Sequence, residues 1–298
     1  MNTHQHKVLF INGGSKKFGT DFREACNEQG VTCLSFRAVH TVLEIYNNTL
    51  YFWVNGENIA VNDAMYAFIR VKGKSTHMLS LIATYFRLTG VEFNDGEPNV
   101  GHTKSDEKIS QMIRYCVSGI PIPNGFIVSY RSYYKNREAI LERVVFPCVL
   151  KAGGSKGDCV WKIESIQELE EKMEHVDDEL LMIQELIPNS HDIRALMFEG
   201  ELLGAIKRSS VDGFYNNLAK AGKAEKVELK EQELECAKKA CRVVGIDFGG
   251  VDIVRTDSGP MIFEINKGPQ VYGLERVLGI SVGHELVNRI IRRFDDVK

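Results

Sequence analysis

Two carboxylates and an amide carry the clearest chemistry in this chain: Asp252 and the pair Glu264-x-Asn266. In a strand, residues two apart share a face, so Glu264 and Asn266 point the same way. Thr256-Asp-Ser-Gly259 lies between, and a turn centred near Ser258 brings Asp252 opposite Glu264. Three hard oxygen donors on one side of a hairpin suit Mg²⁺ or Mn²⁺, with phosphate oxygens completing the coordination shell. The competing reading is a polar solvent face on an edge hairpin.

A second signal is Lys151-Ala-Gly-Gly-Ser-Lys-Gly157. A lysine ends a strand and a Gly/Ser loop follows, so the backbone N–H groups around Gly154, Ser155 and Gly157 can cradle phosphates that Lys151 neutralises. The spacing is not that of a Walker A loop, and a strand rather than a helix comes next. An ordinary hairpin turn would look the same. The third signal is cationic. Arg194 lies on one strand, Lys207-Arg208 ends the next, and an antiparallel pairing would turn them into one cleft. Asn216, Asn217 and Lys220 follow in a loop. Such groups can hold a transferring phosphoryl group and an anionic substrate; a salt-bridged surface is the alternative. Gly13-Gly14 lacks G-x-G-x-x-G, so no dinucleotide site is expected there. Cys148, Cys159, Trp53 and Trp161 are read as packing residues, and His4 and His6 as a solvated terminus.

These residues need elements to position them. Lys7–Ile11 reads as a buried strand, followed by a helix over Thr20–Gln29 and a strand over Val31–Phe36. Val42–Tyr46 and Leu50–Val54 flank a turn, Ala67–Val71 is a strand and Thr76–Leu88 a helix. Further on, Ser105 caps a helix to Val117, Phe126–Ser129 is a strand, and Ser132–Arg143 is helical. Phe146–Lys151 and Val160–Ile163 are strands around the glycine loop, Ser165–Met173 is an amphipathic helix, and Leu180–Glu185 is a strand. The last third carries strands at Ile193–Phe198, Leu202–Ile206, Gly250–Val254 and Pro260–Ile265, and helices over Glu231–Val244 and Val282–Phe294. Alternating strands and helices predict an α/β fold with α+β lobes.

At 298 residues the chain is long enough for two domains and three lobes. Its 37 basic and 40 acidic residues give a net charge of −3, so no nucleic-acid partner is expected. Seven scattered cysteines without C-x-x-C read as reduced thiols, and the expectation is a cytoplasmic protein. Val8–Ile11 is too short for a signal-peptide core, and no apolar run reaches the ~20 residues of a membrane span, so no membrane partner is expected.

Taken in order, these features resemble the ATP-grasp superfamily and, within it, the RimK-like branch of carboxylate–amine ligases. The resemblance rests on Lys108, Lys151 with its glycine loop, Gln184-Glu-Leu-Ile187, Asp192-Ile-Arg194, Asn217-Leu218, Gly249-Gly-Val-Asp-Ile253, Phe263-Glu-Ile-Asn266 and Gly273-Leu-Glu275. It covers Ala67 to the C-terminus and implies an ATP-grasp fold behind a small α/β pre-ATP-grasp domain, with divisions at 1–100, 101–186 and 187–298. It also implies ATP with Mg²⁺ or Mn²⁺ as cofactors. By the resemblance, Lys108, Lys151, Gly154, Ser155 and Gly157 hold phosphates, while Gln184, Glu185, Leu186, Ile187 and Asp192 bind the rest of the nucleotide. Arg194, Arg208 and Asn217 act at the transferring phosphoryl group, and Asp252, Glu264 and Asn266 hold the metal.

Several positions depart from the family pattern. Cys159 stands where a further glycine is usual, the Ile187–Asp192 stretch is short, with Asn189 or Ser190 left to meet the ribose, and Ala221-Gly222 replaces a double glycine. Asn266-Lys-Gly-Pro-Gln270 replaces Asn-x-Ser/Asn-Pro-Gly on the substrate side. The implied reaction joins a carboxylate to an amine through an acyl phosphate, on an amino-acid, small-acid or peptide substrate, in a homo-oligomer. Two other readings keep the nucleotide site: a kinase of a small hydroxylated molecule, and a non-catalytic ATP-binding module. Arg70 and Lys72–Lys74 are assigned to the wall of the acceptor site, with plain solvated charge as the alternative.

Overall fold

The computed structural model describes residues 7–12, 16–38, 41–46, 49–54, 57–61, 63–70, 76–94, 108–152, 160–175, 181–209 and 223–295. The first unit is a parallel sheet. β1 (Lys7–Asn12) pairs on one side with β2 (Thr32–Phe36) and on the other with β6 (Tyr66–Arg70), which carries the short β7 (Glu92–Phe93). α1 (Lys16–Glu28) and α2 (Thr76–Thr89) make the crossovers. Because β1 leads to one side and β6 to the other, the strand order reverses between them, where open α/β sheets leave a crevice at their carboxyl ends. β3 (Thr41–Tyr46), β4 (Thr49–Val54) and β5 (Glu57–Ile59) form a separate antiparallel sheet. The sequence reading anticipated its hairpin but not β5.

A second unit has its own core. β8 (Gly125–Val128), β9 (Cys148–Ala152), β10 (Val160–Ile163) and β11 (Leu181–Glu185) form an antiparallel sheet in the order β10-β9-β11-β8. One face of it buries Leu150, Ile163, Leu181 and Ile183 against Tyr133, Ile140, Leu169 and Met173. Those partners come from α4 (Tyr130–Lys135), α5 (Arg137–Leu141) and α6 (Ile166–Glu174). The single helix expected over Ser132–Arg143 is broken at Asn136, which closes α4 with φ −122° and starts α5. Ser165 caps α6 by accepting from the Glu168 N–H at 3.3 Å.

The largest sheet has the order β14-β13-β12-β15-β16 and is antiparallel throughout. Its strands are β12 (His191–Phe198), β13 (Glu201–Ser209), β14 (Lys223–Lys226), β15 (Phe248–Thr256) and β16 (Gly259–Asn266). α7 (Glu231–Val244) covers one face. Its start is fixed by the Glu233 carboxylate, which accepts from the Lys230 N–H and from Arg255 on β15, and Gly245 ends it at φ 67°. α3 (Lys108–Val117) joins the same core through Met112 and Tyr115. α8 (Val271–Leu278) and α9 (Val282–Asp295) pack with α1 and the phenylalanine cluster of the first sheet, so Phe10, Phe22 and Phe68 share one core with Phe198, Phe248, Leu274 and Leu286. β14 and α8 were not anticipated from the sequence.

Candidate active site

One face of the five-stranded sheet carries a row of charge. Asp192 and Arg194 are two apart on β12 and so share a face. Register sets Arg208 of β13 opposite Asp192, Asp252 of β15 opposite Arg194, and Glu264 of β16 opposite Asp252. Side chains complete what register begins. Arg194 grips Asp252 with Nε–Oδ1 at 2.7 Å and Nη2–Oδ2 at 2.6 Å. Arg208 grips Asp192 in the same two-pronged way and reaches Asp252 Oδ2 at 3.1 Å. Lys108 Nζ stands 2.9 Å from Glu264 Oε2, and Asn266 Nδ2 donates to Glu264 Oε1 at 2.9 Å.

The opposition of Asp252 to Glu264 depends on an irregularity. The turn pairs Thr256 with Gly259 and Arg255 with Pro260, a register that would set Phe263 against Asp252. A bulge between Asp252 and Ile253 shifts the pairing by one, so that Glu264 meets Asp252 instead. It also interrupts the alternation of β16. Ile262 and Ile265 are buried in the core beneath α7, while Phe263 and Glu264 both stay out of it. The sequence reading reached the right pair by centring the turn one half-step late, and the bulge makes up the difference.

Gly250 allows the close packing that this face requires, and Gly249 does the same for the core on the opposite face. A Cβ at Gly249 would lie 2.8 Å from Ile265 Cγ2 and 3.0 Å from Ile246 Cγ2. One at Gly250 would lie 3.1 Å from Pro269 Cβ and 3.3 Å from Arg194 Cδ. Gly250→Ala is therefore expected to displace Arg194 from Asp252, lowering stability by about 1–3 kcal/mol and kcat by about tenfold or more. Melting temperature and turnover, measured on the same sample, check this.

A second lobe supplies the facing wall. Lys151, near the end of β9, sets its Nζ 5.5 Å from the centre of the Phe263 ring. Burial presses its pKa down to about 8, Glu264 holding it up and Lys108 pushing it further down. Asp252 is pushed up by burial, but Arg194 and Arg208 outweigh this and hold it below the usual carboxylate range. Asp192 goes the other way, to about 6, because burial and the neighbouring Asp252 outweigh Arg208.

The remaining sequence candidates divide. Glu185 ends β11, and its carboxylate accepts from the Asn124 N–H at 2.7 Å and from Asn124 Nδ2 at 3.0 Å. Leu186 and Ile187 follow, half-buried. Gln184 is buried, its Nε2 directed at the Pro123 carbonyl 3.5 Å away, inside the lobe. Asp192, expected at the nucleotide, has its carboxylate engaged by Arg208. Gly154, Ser155, Gly157 and Asn217 lie outside the described residues, as do Asn216, Lys220 and Lys72–Lys74. Arg70 is not solvated: it is 3% exposed.

Gln111 went unread in the sequence. Fully buried in α3, its Nε2 donates to the Ile265 carbonyl at 2.9 Å and its Oε1 accepts from the Ile265 N–H at 2.8 Å. It thus pairs with the open edge of β16 as another strand would, and seats Lys108, three residues earlier, over Glu264. A lone polar residue on the apolar face of a helix was the available signal.

Two carboxylates and an amide suit a hard divalent cation, and the donor set already draws the Lys108 ammonium to Glu264. Among the described residues no group of three or more His, Cys, Asp or Glu forms a metal site, so such an ion would need the Asn266 amide and phosphate oxygens.

Solved structures that share this arrangement of sheets include ATP-grasp ligases. The ligase PsnB in complex with a minimal precursor aligns over 97% of this chain and 99% of its own, with TM-score 0.75 and 15% identity. The macrocyclase MdnC from Microcystis aeruginosa, bound to the precursor peptide MdnA, aligns over 96% and 99% with TM-score 0.73 and 11% identity. The chain therefore has the ATP-grasp fold. Residues 105–290 match the RimK-like ATP-grasp domain, and the chain belongs to that family of ATP-dependent carboxylate–amine ligases, which use ATP and Mg²⁺. A probable alpha-L-glutamate ligase from Psychromonas ingrahamii is 29% identical over 251 residues, 82% of this chain and 81% of that one. No helix among the described residues is long and apolar enough to cross a membrane.

Proposed function

We propose that this chain joins an amino acid, or a peptide bearing one, to a carboxylic acid through an acyl phosphate made from ATP. The observation that carries the proposal is the row Arg208–Asp192–Arg194–Asp252–Glu264 on one sheet face, with Lys108 and Lys151 converging on its end. Relatives named alpha-L-glutamate ligase and solved neighbours bound to precursor peptides support an amino-acid or peptide substrate. The lobe division at 1–100, 101–186 and 187–298 belongs to the same proposal, supported by the separate core of residues 128–183.

A carboxylate is a poor acyl donor because its oxygen leaves badly. Attack of that oxygen on the γ-phosphorus forms a C–O–P linkage and releases ADP; the amine then attacks the carbonyl carbon, phosphate leaves and the amine loses a proton. The residues contribute position and charge. Lys151 and Lys108 neutralise phosphate oxygens. Arg194 and Arg208, already aligned by Asp252 and Asp192, hold the transferring phosphoryl group and then the tetrahedral oxyanion. Asp252, Glu264 and Asn266 would hold Mg²⁺, which supplies charge neutralisation across the phosphates when bound. The Glu185 carbonyl and Ile187 N–H would meet the adenine edge.

One consequence concerns pH. With a pKa near 8 in the free protein, Lys151 is partly neutral at pH 8–9 and must gain a proton to bind phosphate. ATP affinity is expected to fall toward about tenfold per pH unit above 8, with proton uptake on binding. Calorimetry in buffers of different ionisation enthalpy reads that uptake, and Lys151→Met is expected to abolish it.

The test of the function is ADP release with ATP and Mg²⁺ over pools of amino acids, small acids and peptides, with mass spectrometry of the products. An amide-bonded product that depends on the pool supports the proposal. A phosphorylated product without an amide would contradict it.

A further inference from the structure

Arg70 ends β6 directly beside Asn12, the last residue of β1, in paired register. These are the carboxyl ends of the two strands between which the parallel sheet reverses its order, the position at which open α/β sheets bind ligands. A guanidinium buried to 3% exposure at such a place needs an anion, because an unpaired buried charge is unfavourable. Among the described residues no carboxylate bonds it. Nη2 makes a long bond, 3.3 Å, to the Pro269 carbonyl, and the Phe18 ring lies 4.2 Å from Cζ. Nε and Nη1 are buried with no acceptor, and no salt bridge reaches Arg70 among the described residues. The Glu275 carboxylate is close enough to be felt electrostatically, yet its Oε1 is taken by the Val282 N–H at 2.9 Å.

Pro269 connects this guanidinium to the reaction site. It follows Asn266 by three residues, and its Cβ is 3.1 Å from the place a Cβ on Gly250 would occupy, which is itself 3.3 Å from Arg194 Cδ. Arg70 therefore stands one residue layer from Arg194, on the side of the Asn266-Lys-Gly-Pro-Gln270 departure. Nη2 carries one N–H on each of two edges of the guanidinium, Nε/Nη2 and Nη1/Nη2, and the Pro269 carbonyl takes at most one of them, so one edge keeps both of its N–H groups unused. A carboxylate on that edge would take both donors.

We infer that Arg70 binds a carboxylate of the amino-acid substrate that takes no part in the new amide bond, and so selects substrates that carry one. This rests on the ligase reading above and adds the group recognised. A guanidinium serving only as a strut between β6 and Pro269 would alter stability without altering which substrate is preferred.

The experiment is calorimetric titration of the full chain, saturated with a non-hydrolysable ATP analogue and Mg²⁺, using L-glutamate, L-glutamine and L-glutamic acid α-amide as probes. Wild-type protein is expected to lose at least about tenfold in affinity on one of the two amidations. Arg70→Met is expected to bind glutamate at least about tenfold more weakly and to ignore that amidation, with nucleotide affinity unchanged. Arg70→Lys restores part of the preference by charge alone, and carries the same comparison should Arg70→Met fail to fold. Retention of the full wild-type preference in Arg70→Met, or in Arg70→Lys should Arg70→Met fail to fold, overturns the inference, as does no binding or no preference for the carboxylate in the wild type. Failure of the wild type to bind the nucleotide analogue overturns the ligase reading itself, and the inference with it.

Discussion

The Asp252→Asn substitution is expected to lower kcat at least about a thousandfold and stability by about 3 kcal/mol. Both effects come from one carboxylate with two duties. In the free protein it is 7% exposed and anchors Arg194 through both oxygens while also meeting Arg208. Asparagine keeps the size but removes the charge, so Arg194, only partly exposed, loses the one carboxylate it bonds among the described residues; Arg208 still has Asp192. In the reacting complex the same position would lose a metal ligand. The stability change is read without nucleotide, by melting temperature, and the rate by ADP release at saturating substrates. A variant that melts lower but retains turnover within tenfold of wild type would remove Asp252 from the chemistry and leave it a structural anchor.

Gln111→Leu should do its damage differently. The side-chain amide makes both hydrogen bonds to the Ile265 backbone, and leucine, of similar size, makes neither. Leaving a buried N–H and a buried carbonyl without partners costs about 3 kcal/mol in total. The edge of β16 is then held to this side only by contacts such as Ile262 N–H to the Pro121 carbonyl at 2.9 Å. Lys108 loses the fixed base from which it meets Glu264, so the KM for ATP should rise about tenfold or more although Gln111 touches no substrate. Gln111→Glu separates the two bonds: it can still accept from the Ile265 N–H but sets a carboxylate oxygen against the Ile265 carbonyl. It should be at least as destabilising. Equal stability of Gln111→Leu and wild type, in thermal and chemical unfolding alike, would contradict this account of the edge.

Much of the framework was legible because strong local patterns survive into the fold. Lys7–Ile11 and Glu231–Val244 read correctly because a buried apolar run and a 3.6-residue stripe ending in glycine have few other solutions. The pairing of Arg194 with Asp252 was not legible. Nothing in Asp192-Ile-Arg194 or Gly249-Gly-Val-Asp252 says which strands become neighbours, since that is a property of the whole sheet. The same holds for the Asp192–Arg208 grip. β14, with Lys-Ala-Glu-Lys, has no apolar alternation to read and is a strand because β13 offers it an edge. The bulge that sets Glu264 opposite Asp252 is invisible in composition, because Phe263 looks like any other core residue until the register shift takes it out of the core.

Acyl-phosphate formation leaves its mark on an oxygen atom. Once the product spectrum has named the donor acid, that acid is supplied with both carboxylate oxygens labelled as ¹⁸O, together with ATP, Mg²⁺ and the amine. Activation through an acyl phosphate requires one carboxylate oxygen to bridge carbon and phosphorus and to leave with the phosphate when the amine attacks. One ¹⁸O is expected in the inorganic phosphate and one in the amide carbonyl for each ADP formed. Phosphate free of label, with amide still produced, would show that the acid was not activated on this sheet face in the way proposed.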